Sequence, residues 1–370
     1  FDLVVGDIAQ RRYIWKSVPQ PMKSPHYQPQ KRKWLAWIIS LLALAAIMWQ
    51  VSHHEAISEQ SFHWLQILPK DPILLGIVAL LIPINWGIEA VKWHLLLGRQ
   101  NQSFGHAFRT VIVGSTWGFL TPNRSGDAAG RLALLPANQR TIGLRAFGWS
   151  AWAQGGMTLT FGGLAWAWCS ELFEADHASN SMMGIQKLQT LIGFNSVWAI
   201  PSVAILGAAL WWILGWANVQ FGSAVLGKLS RLFTRPSWMV DNPQGTSPEM
   251  RKKLPLVVTL SGVRYGVFAT QFVFGLWAYG FAEMPLLMPA IALVYWGNMI
   301  IPTAALAEVG VREALIVMLL QPQPEMTAPL IAATFSVWAL NLVVPAAIGA
   351  FIGPNLLEYS ESKPAPSHEH

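Results

Sequence analysis

The sequence predicts an all-α polytopic membrane protein: about six full transmembrane helices plus two re-entrant broken helical hairpins, arranged as an inverted repeat. Three observations predict it. Only 12% of the 370 residues are charged, against about 25% in soluble chains. The apolar residues collect in runs of the length that a bilayer's hydrocarbon core requires. Lys and Arg collect in alternate connecting loops. Together these exclude an ordinary soluble enzyme and a disordered chain, and the single Cys169 excludes an intrachain disulfide. The net charge of +6 lies beside the apolar spans, so it speaks for membrane orientation, and no nucleic-acid partner is expected.

Residues 1–33 read as a cytoplasmic polar tail. They lack the apolar core of a signal peptide, and Pro19, Pro21, Pro25 and Pro29 oppose a helix. The transmembrane domain is predicted over 34–353. Its spans are Trp34–Val51, Ile73–Leu97, Phe147–Cys169, Leu188–Trp216 with a kink at Pro201, Leu254–Phe281, and Thr327–Gly353 with a kink near Pro345. Residues 354–370 read as a polar C-terminal tail. The stretch 221–233 sets Phe221, Val225, Leu229, Leu232 and Phe233 on one helical face and Lys228 and Arg231 off it, the pattern of a helix lying on the membrane surface.

Charge then orients the chain. The tail's seven cations, from Arg11 to Lys33, place the N-terminus in the cytoplasm. The loop at 52–72 and the acidic loop at 170–187 fall outside, and the basic loop at 217–253 falls inside. Arg99, Arg140 and Arg145 all belong inside, so 107–139 must enter and leave by one face, broken at Thr121–Ser125. By the same reasoning 284–322 is a second hairpin, entering from the opposite face. Hairpins of opposite sense bring their breaks together at the midplane, where such folds place a binding site.

The first break reads Thr121-Pro122-Asn123-Arg124-Ser125-Gly126-Asp127, followed by Arg131. Pro122 removes a backbone donor and Gly126 permits unusual torsions. Asp127 and Arg131 are four apart and can pair. Each charge at mid-bilayer costs about 2.5–3.5 kcal/mol on insertion scales, and the planar fork of Arg fits phosphate oxygens. These charges read either as an ion pair that pins the hairpin or as direct contacts to an anionic headgroup. The second break reads Pro302-Thr303, then Glu308-Val309-Gly310-Val311-Arg312-Glu313, with Glu308 and Arg312 again four apart. On the second span, Glu89 needs a partner, while Lys92 can snorkel toward the cytoplasm; Asn85, Trp86 and Trp93 flank them. Arg264 lies too deep to snorkel and suits Glu89 or Asp127 as a partner. Gln271 shares its span.

Asn85-Trp86…Glu89…Lys92-Trp93, the segment from Thr121 through Arg131, Ser261…Arg264-Tyr265…Gln271, and Pro302…Gly310-Val311-Arg312-Glu313 resemble the membrane region of lysylphosphatidylglycerol synthases. That region also occurs as stand-alone flippase-like integral membrane proteins. Two positions depart from the family pattern: Asp127 stands where Glu is commoner, and Ala304-Ala305-Leu306-Ala307-Glu308 replaces a Pro-Gly-Gly run. The resemblance implies movement of an anionic or aminoacylated phospholipid between leaflets of the inner cell membrane. It implies no synthase activity, because the sequence after Gly353 is too short for the soluble domain that carries it.

The expected function is therefore lipid translocation by a transporter rather than an enzyme. Arg124, Arg131, Arg264 and Arg312 would hold the headgroup, with Gln271 beside them, and Asp127, Glu308 and Glu313 would balance the cations. Asn85, Glu89, Lys92, Pro122, Gly126, Pro302 and Gly310 are assigned to structure or gating. Neither a cofactor nor a metal is expected: His53, His54 and His63 lack ligand spacing, and no phosphate loop appears. Membrane phospholipids are the expected partners, with a second copy or a separate lipid-modifying enzyme as further candidates. Three alternatives use the same charges: a membrane-embedded transferase for a lipid phosphate with Asp127 or Glu313 as base, a secondary transporter of a small anion, and a scaffold with every charge paired internally.

Overall fold

The computed structural model describes residues 68–98, 103–121, 124–175, 198–221, 248–282, 287–301 and 305–362. The expected span Trp34–Val51, the amphipathic stretch after Phe221, and both Pro122 and Pro302 lie outside the described residues. Within them, every regular element is helical: α1 Pro72–Leu97, α2 Phe104–Phe119, α3 Gly126–Ala133, a 3-10 turn at Ala137–Gln139, α4 Arg140–Ala175, α5 Ala199–Phe221, α6 Pro248–Ala278, α7 Leu287–Ile300, α8 Ala305–Leu320, α9 Pro324–Trp338, a π-helical segment Ala339–Val343, and α10 Val344–Ser362.

Four stretches are long and apolar enough to cross a membrane by length and composition: α1, α5, α6, and the run from α9 into α10. The architecture is that of a helical membrane protein. On α5, Leu206, Leu210, Ile213 and Leu214 are each more than half exposed, a face that suits lipid and would be costly in water. The 36-residue α4 is about 54 Å long, yet its Gly, Trp, Thr and Gln residues keep it below the same apolar threshold. In contrast, the 14 residues of α7 reach only about 21 Å, short of a hydrocarbon core of about 30 Å.

Local chemistry sets the ends and bends. Asp71 Oδ1 accepts the N–H groups of Ile73 and Leu74, and Pro72 opens α1 with the torsion a first turn needs. Pro201 falls in the first turn of α5, where its ring is tolerated, rather than kinking a longer helix. The expected loop 217–253 gives way to helix at Pro248, so Arg251, Lys252 and Lys253 belong to α6. The expected polar tail begins as helix too, since α10 continues to Ser362. Near Pro345, the last span passes through the π segment. Pro345 has no N–H to offer the carbonyl four residues back, and such insertions recur at functional sites.

Small residues and a repeated register hold the helices together. α1 and α6 run antiparallel in steps of seven residues: the Asp71 N–H meets the Ala278 carbonyl, Gln271 Nε2 donates to the Val78 carbonyl, and Arg264 Nε donates to Asn85 Oδ1. Beyond these, Lys253 Nζ donates to the Leu95 carbonyl at 2.9 Å. α4 and α5 also run antiparallel, with indoles set over glycines. Trp212 covers Gly156, Trp152 covers Gly215, and Trp152 and Trp211 donate to each other's carbonyl oxygens at 3.2 and 2.9 Å. α7 lies antiparallel to α4, Trp296 over Gly162 and Met299 against Gly155. α2 lies antiparallel to α10: Thr116 Oγ1 donates to the Ala346 carbonyl at 2.7 Å, and Gly349 lies against Ile112 and Thr116. Small residues at crossings are the usual means of close helix approach in lipid.

Candidate functional site

The chain breaks between α2 and α3, and Thr121 organises the break. Its hydroxyl donates to the Trp117 carbonyl at 3.1 Å and accepts the Gly126 N–H at 2.6 Å. Gly126 is helical, which differs from the expected unusual torsion. It is needed for close approach, because a Cβ there would overlap the Trp117 carbonyl. The left-handed torsion falls instead on Arg124, at φ 56°, a conformation uncommon outside glycine. α3 folds back antiparallel along α2: Gly118 faces Asp127 and Gly114 faces both Asp127 and Arg131. A side chain at Gly114 would occupy the place of the Asp127 carboxylate.

The fold-back delivers Asp127 and Arg131 to a buried ion cluster. Arg131 grips Asp127 with a two-pronged fork, Nε to Oδ1 at 2.7 Å and Nη2 to Oδ2 at 2.9 Å. Its Nη1 reaches Glu89 Oε1 at 3.0 Å. Glu89 is the hub: it also accepts from Lys92 at 3.0 Å and from the Ser150 hydroxyl at 3.1 Å, and it forms an ion pair with Arg264 at 3.4 Å. Lys92 does not snorkel; it is fully buried and turned toward Glu89. Low dielectric makes a missing partner costly here, so shared carboxylates and forked geometry are the expected solution.

Beside this cluster lies a cavity of about 290 Å³. Its wall joins the residue at the first break, Arg124, to the end of α7 (Asn298, Met299), the start of α8 (Glu308, Arg312), the π segment (Asn341, Leu342) and the centre of α6 (Arg264, Tyr265). Residues flanking both expected breaks thus face one space. Gln154 connects the space to the ion cluster, its Oε1 accepting from Arg264 at 3.3 Å and Lys92 at 3.5 Å. Asn85 makes a second connection, taking Arg264 Nε and donating to Asn341 Oδ1 at 3.2 Å.

The electrostatics are lopsided. Lys92, Arg131 and Arg264 meet the two carboxylates of Glu89 and Asp127, which leaves one cation in excess. Arg312 is neutralised by Glu308 and lies over the Tyr295 ring. Arg124 adds a second excess cation: it hydrogen-bonds to no described residue through its guanidinium and rests 5.8 Å from the centre of the Trp86 ring. Arg264 occupies the same indole at 5.7 Å. Two guanidinium groups of the cavity wall therefore share one buried ring.

The structure brings Arg124, Arg264, Glu308 and Arg312 to the cavity. It holds Asp127, Arg131, Glu89 and Lys92 in the cluster behind it. Gln271 is elsewhere, buried and donating to the Val78 carbonyl. Glu313 and Gly310 lie on α8 away from the lining, and Gly310 is exposed with open space around it. Gln154, Asn298, Asn341 and Tyr295 enter the site without having been singled out. An uncharged amide inside an apolar span was the available signal for the first three.

No protein-family model matches the chain, and neither a curated protein nor a solved structure matches it.

Proposed function

We propose that the chain is a flippase-like lipid translocase of the inner cell membrane, moving an anionic phospholipid headgroup through the central cavity. The carrying observation is the excess of positive charge on the cavity wall, with Arg124 hydrogen-bonded to no described residue and sharing the Trp86 ring with Arg264. A half-buried cation with no hydrogen-bond partner among the described residues is costly at membrane depth unless something anionic visits it. Arg suits that visitor, since its donors match phosphate oxygens.

The proposed topology is six crossings with two hairpins of opposite sense and a cytoplasmic N-terminus. The antiparallel pairings support it. α1 against α6, α4 against α5, α7 against α4 and α2 against α10 each have the direction this topology requires. The shortness of α7 supports a helix that enters without crossing. The placement of the two candidate bases favours transport over a transferase: Asp127 is gripped by both prongs of Arg131, and Glu313 lies off the cavity lining.

Reconstitution tests this reading. Vesicles holding the purified chain and a fluorescent anionic phospholipid are exposed to a membrane-impermeant quencher. The parent should expose inner-leaflet label, and Arg124→Ala should slow this by about tenfold or more, the scale of one lost charge-assisted contact. A parent no faster than empty vesicles would sink the translocase reading.

A further inference from the structure

The charge count carries the reading one step further. We infer that the cavity is built for a phosphate group bearing two negative charges, a terminal phosphomonoester, in preference to a phosphodiester or an aminoacylated headgroup. The inference rests on the reading of this cavity as an anion site and names the valence of its ligand.

The argument is one of neutrality in a medium of low dielectric. Among the described residues, the cluster and cavity wall carry two more cations than carboxylates, and the excess faces the cavity through Arg124 and Arg264 beside Trp86, the Arg264 contact to Glu89 at 3.4 Å being the longest of the three that share that carboxylate. A phosphodiester neutralises one of them and leaves the other uncompensated. A phosphomonoester neutralises both, with oxygens to spare for two forks. An aminoacylated headgroup fares worst, because its ammonium needs a carboxylate. The acid on the cavity wall, Glu308, is already engaged by Arg312. Glu89 and Asp127, behind the wall, are engaged by Lys92, Arg131 and Arg264.

The surroundings fit a compact group. The amides of Gln154 and Asn341 are committed to the relay around Arg264 and do not compete for its charge as a carboxylate would. The Asn298 amide, near the end of α7 and also on the lining, has both its polar atoms buried with no hydrogen-bond partner among the described residues, so it has donor capacity for a further oxygen.

The test is a binding competition with the full chain in nanodiscs of neutral phosphatidylcholine. Phosphatidate, phosphatidylglycerol, lysyl-phosphatidylglycerol and inorganic phosphate are titrated in turn. Phosphatidate should bind at least about tenfold more tightly than phosphatidylglycerol, the scale of one additional charge pair near the protein surface. Lysyl-phosphatidylglycerol should bind more weakly than either. Arg124→Ala should cut the preference for phosphatidate to about threefold or less, and Arg124→Lys, which keeps the charge, should retain most of it. If inorganic phosphate displaces phosphatidate at equal concentration, the dianion is a free phosphate; if it does so only in large excess, the dianion is a lipid headgroup. Either result keeps the inference. Phosphatidylglycerol or lysyl-phosphatidylglycerol binding as tightly as phosphatidate would overturn it, as would a preference unchanged in Arg124→Ala. Movement across the bilayer is not read in this experiment, so a chain that moves lipid without discriminating fails here alone, and one that discriminates without moving lipid fails only the translocation assay.

Discussion

Arg264 donates its Nε to Asn85 Oδ1 at 2.9 Å, and this bond fixes two things at once. It is a register point between α1 and α6, seven residues from the Gln271–Val78 contact. It also aims a cavity cation, because the same guanidinium reaches Gln154 and Glu89 with Nη1. Packing and charge placement are thus set by one pair of side chains.

Substitutions at Asn85 should separate those two roles. Asn85→Ala leaves a buried donor of Arg264 unmatched, at a cost of about 1–3 kcal/mol, read as a lower thermal midpoint in detergent. Asn85→Asp keeps an acceptor for Arg264 but cancels one of the two excess charges. Anion binding should then weaken by about tenfold while the midpoint falls less than in the Ala variant. A variant carrying Asp that binds anion as well as the parent would contradict the electrostatic account of the cavity.

Glu89 should be the most damaging position in the ion cluster. Three cations from three helices depend on its carboxylate. Glu89→Gln leaves buried charge uncompensated, which typically costs about 3–5 kcal/mol. The second change Lys92→Met removes one of the stranded cations and should return part of the loss. The thermal midpoints of both single variants and the double variant form the cycle that measures this coupling. Additive losses would mean that the two residues do not act on each other.

Much of this cluster was within reach of the sequence, and part of it was not. The break at Thr121–Ser125 and the pairs Asp127–Arg131 and Glu308–Arg312 follow from Pro, Gly and a spacing of one helical turn. Spacing says nothing about partners on other helices, so Glu89 as hub for Arg131 and Arg264 was legible only as a need for some partner. Lys92 misleads for the same reason: near a helix end a long cation usually reaches for water, and only its bonds to Glu89 and Gln154 turn it inward. Propensity alone favours Gly126 as the residue with an unusual torsion. In the fold, Gly126 is needed for contact with Trp117, and the strain passes to Arg124. The interlock of Trp and Gly between α4 and α5 left only a dilute hydropathy signal in the sequence.

Glycines at close crossings and glycines in open space should respond in opposite directions. A Cβ at position 349 would collide with the Ile112 carbonyl and the Thr116 hydroxyl, which is itself bonded to the Ala346 carbonyl. Gly349→Ala should therefore lower stability by about 1–3 kcal/mol. Gly310, helical and with nothing near its absent Cβ, should gain up to about 1 kcal/mol on change to Ala from helix propensity alone. Denaturation of the two variants in the same detergent gives the comparison. A stabilised Gly349→Ala would show that α2 and α10 are not held at the described distance.

The reciprocal bonds between Trp152 and Trp211 should be measurable as a pair. Each indole donates to the other's carbonyl oxygen, and a hydrogen bond of this kind contributes about 0.5–1.5 kcal/mol net. Replacing either by Phe removes one bond and leaves a carbonyl to find another partner. The double replacement should cost less than the sum of the two, because both bonds belong to one contact between α4 and α5. Strictly additive midpoints would place the two rings in independent environments.

Arg124 carries a strained backbone and a charge with no ion-pair partner among the described residues, so stability and function should move apart when it is replaced by glycine. A non-glycine residue at φ 56° stores about 1–3 kcal/mol that only local function justifies. Arg124→Gly relieves the torsion and removes a cation that hydrogen-bonds to no described residue through its guanidinium. Glycine's greater freedom in the unfolded chain offsets part of this, so the net gain should be at most about 1–2 kcal/mol. Arg124→Ala removes the same charge but keeps the strain, and its midpoint should stay near that of the parent. Both variants should lose anion binding alike. Thermal midpoints and anion titrations of the three chains side by side decide the matter: equal midpoints for Gly and Ala would dismiss the strain, and undiminished anion binding in either would dismiss the clamp.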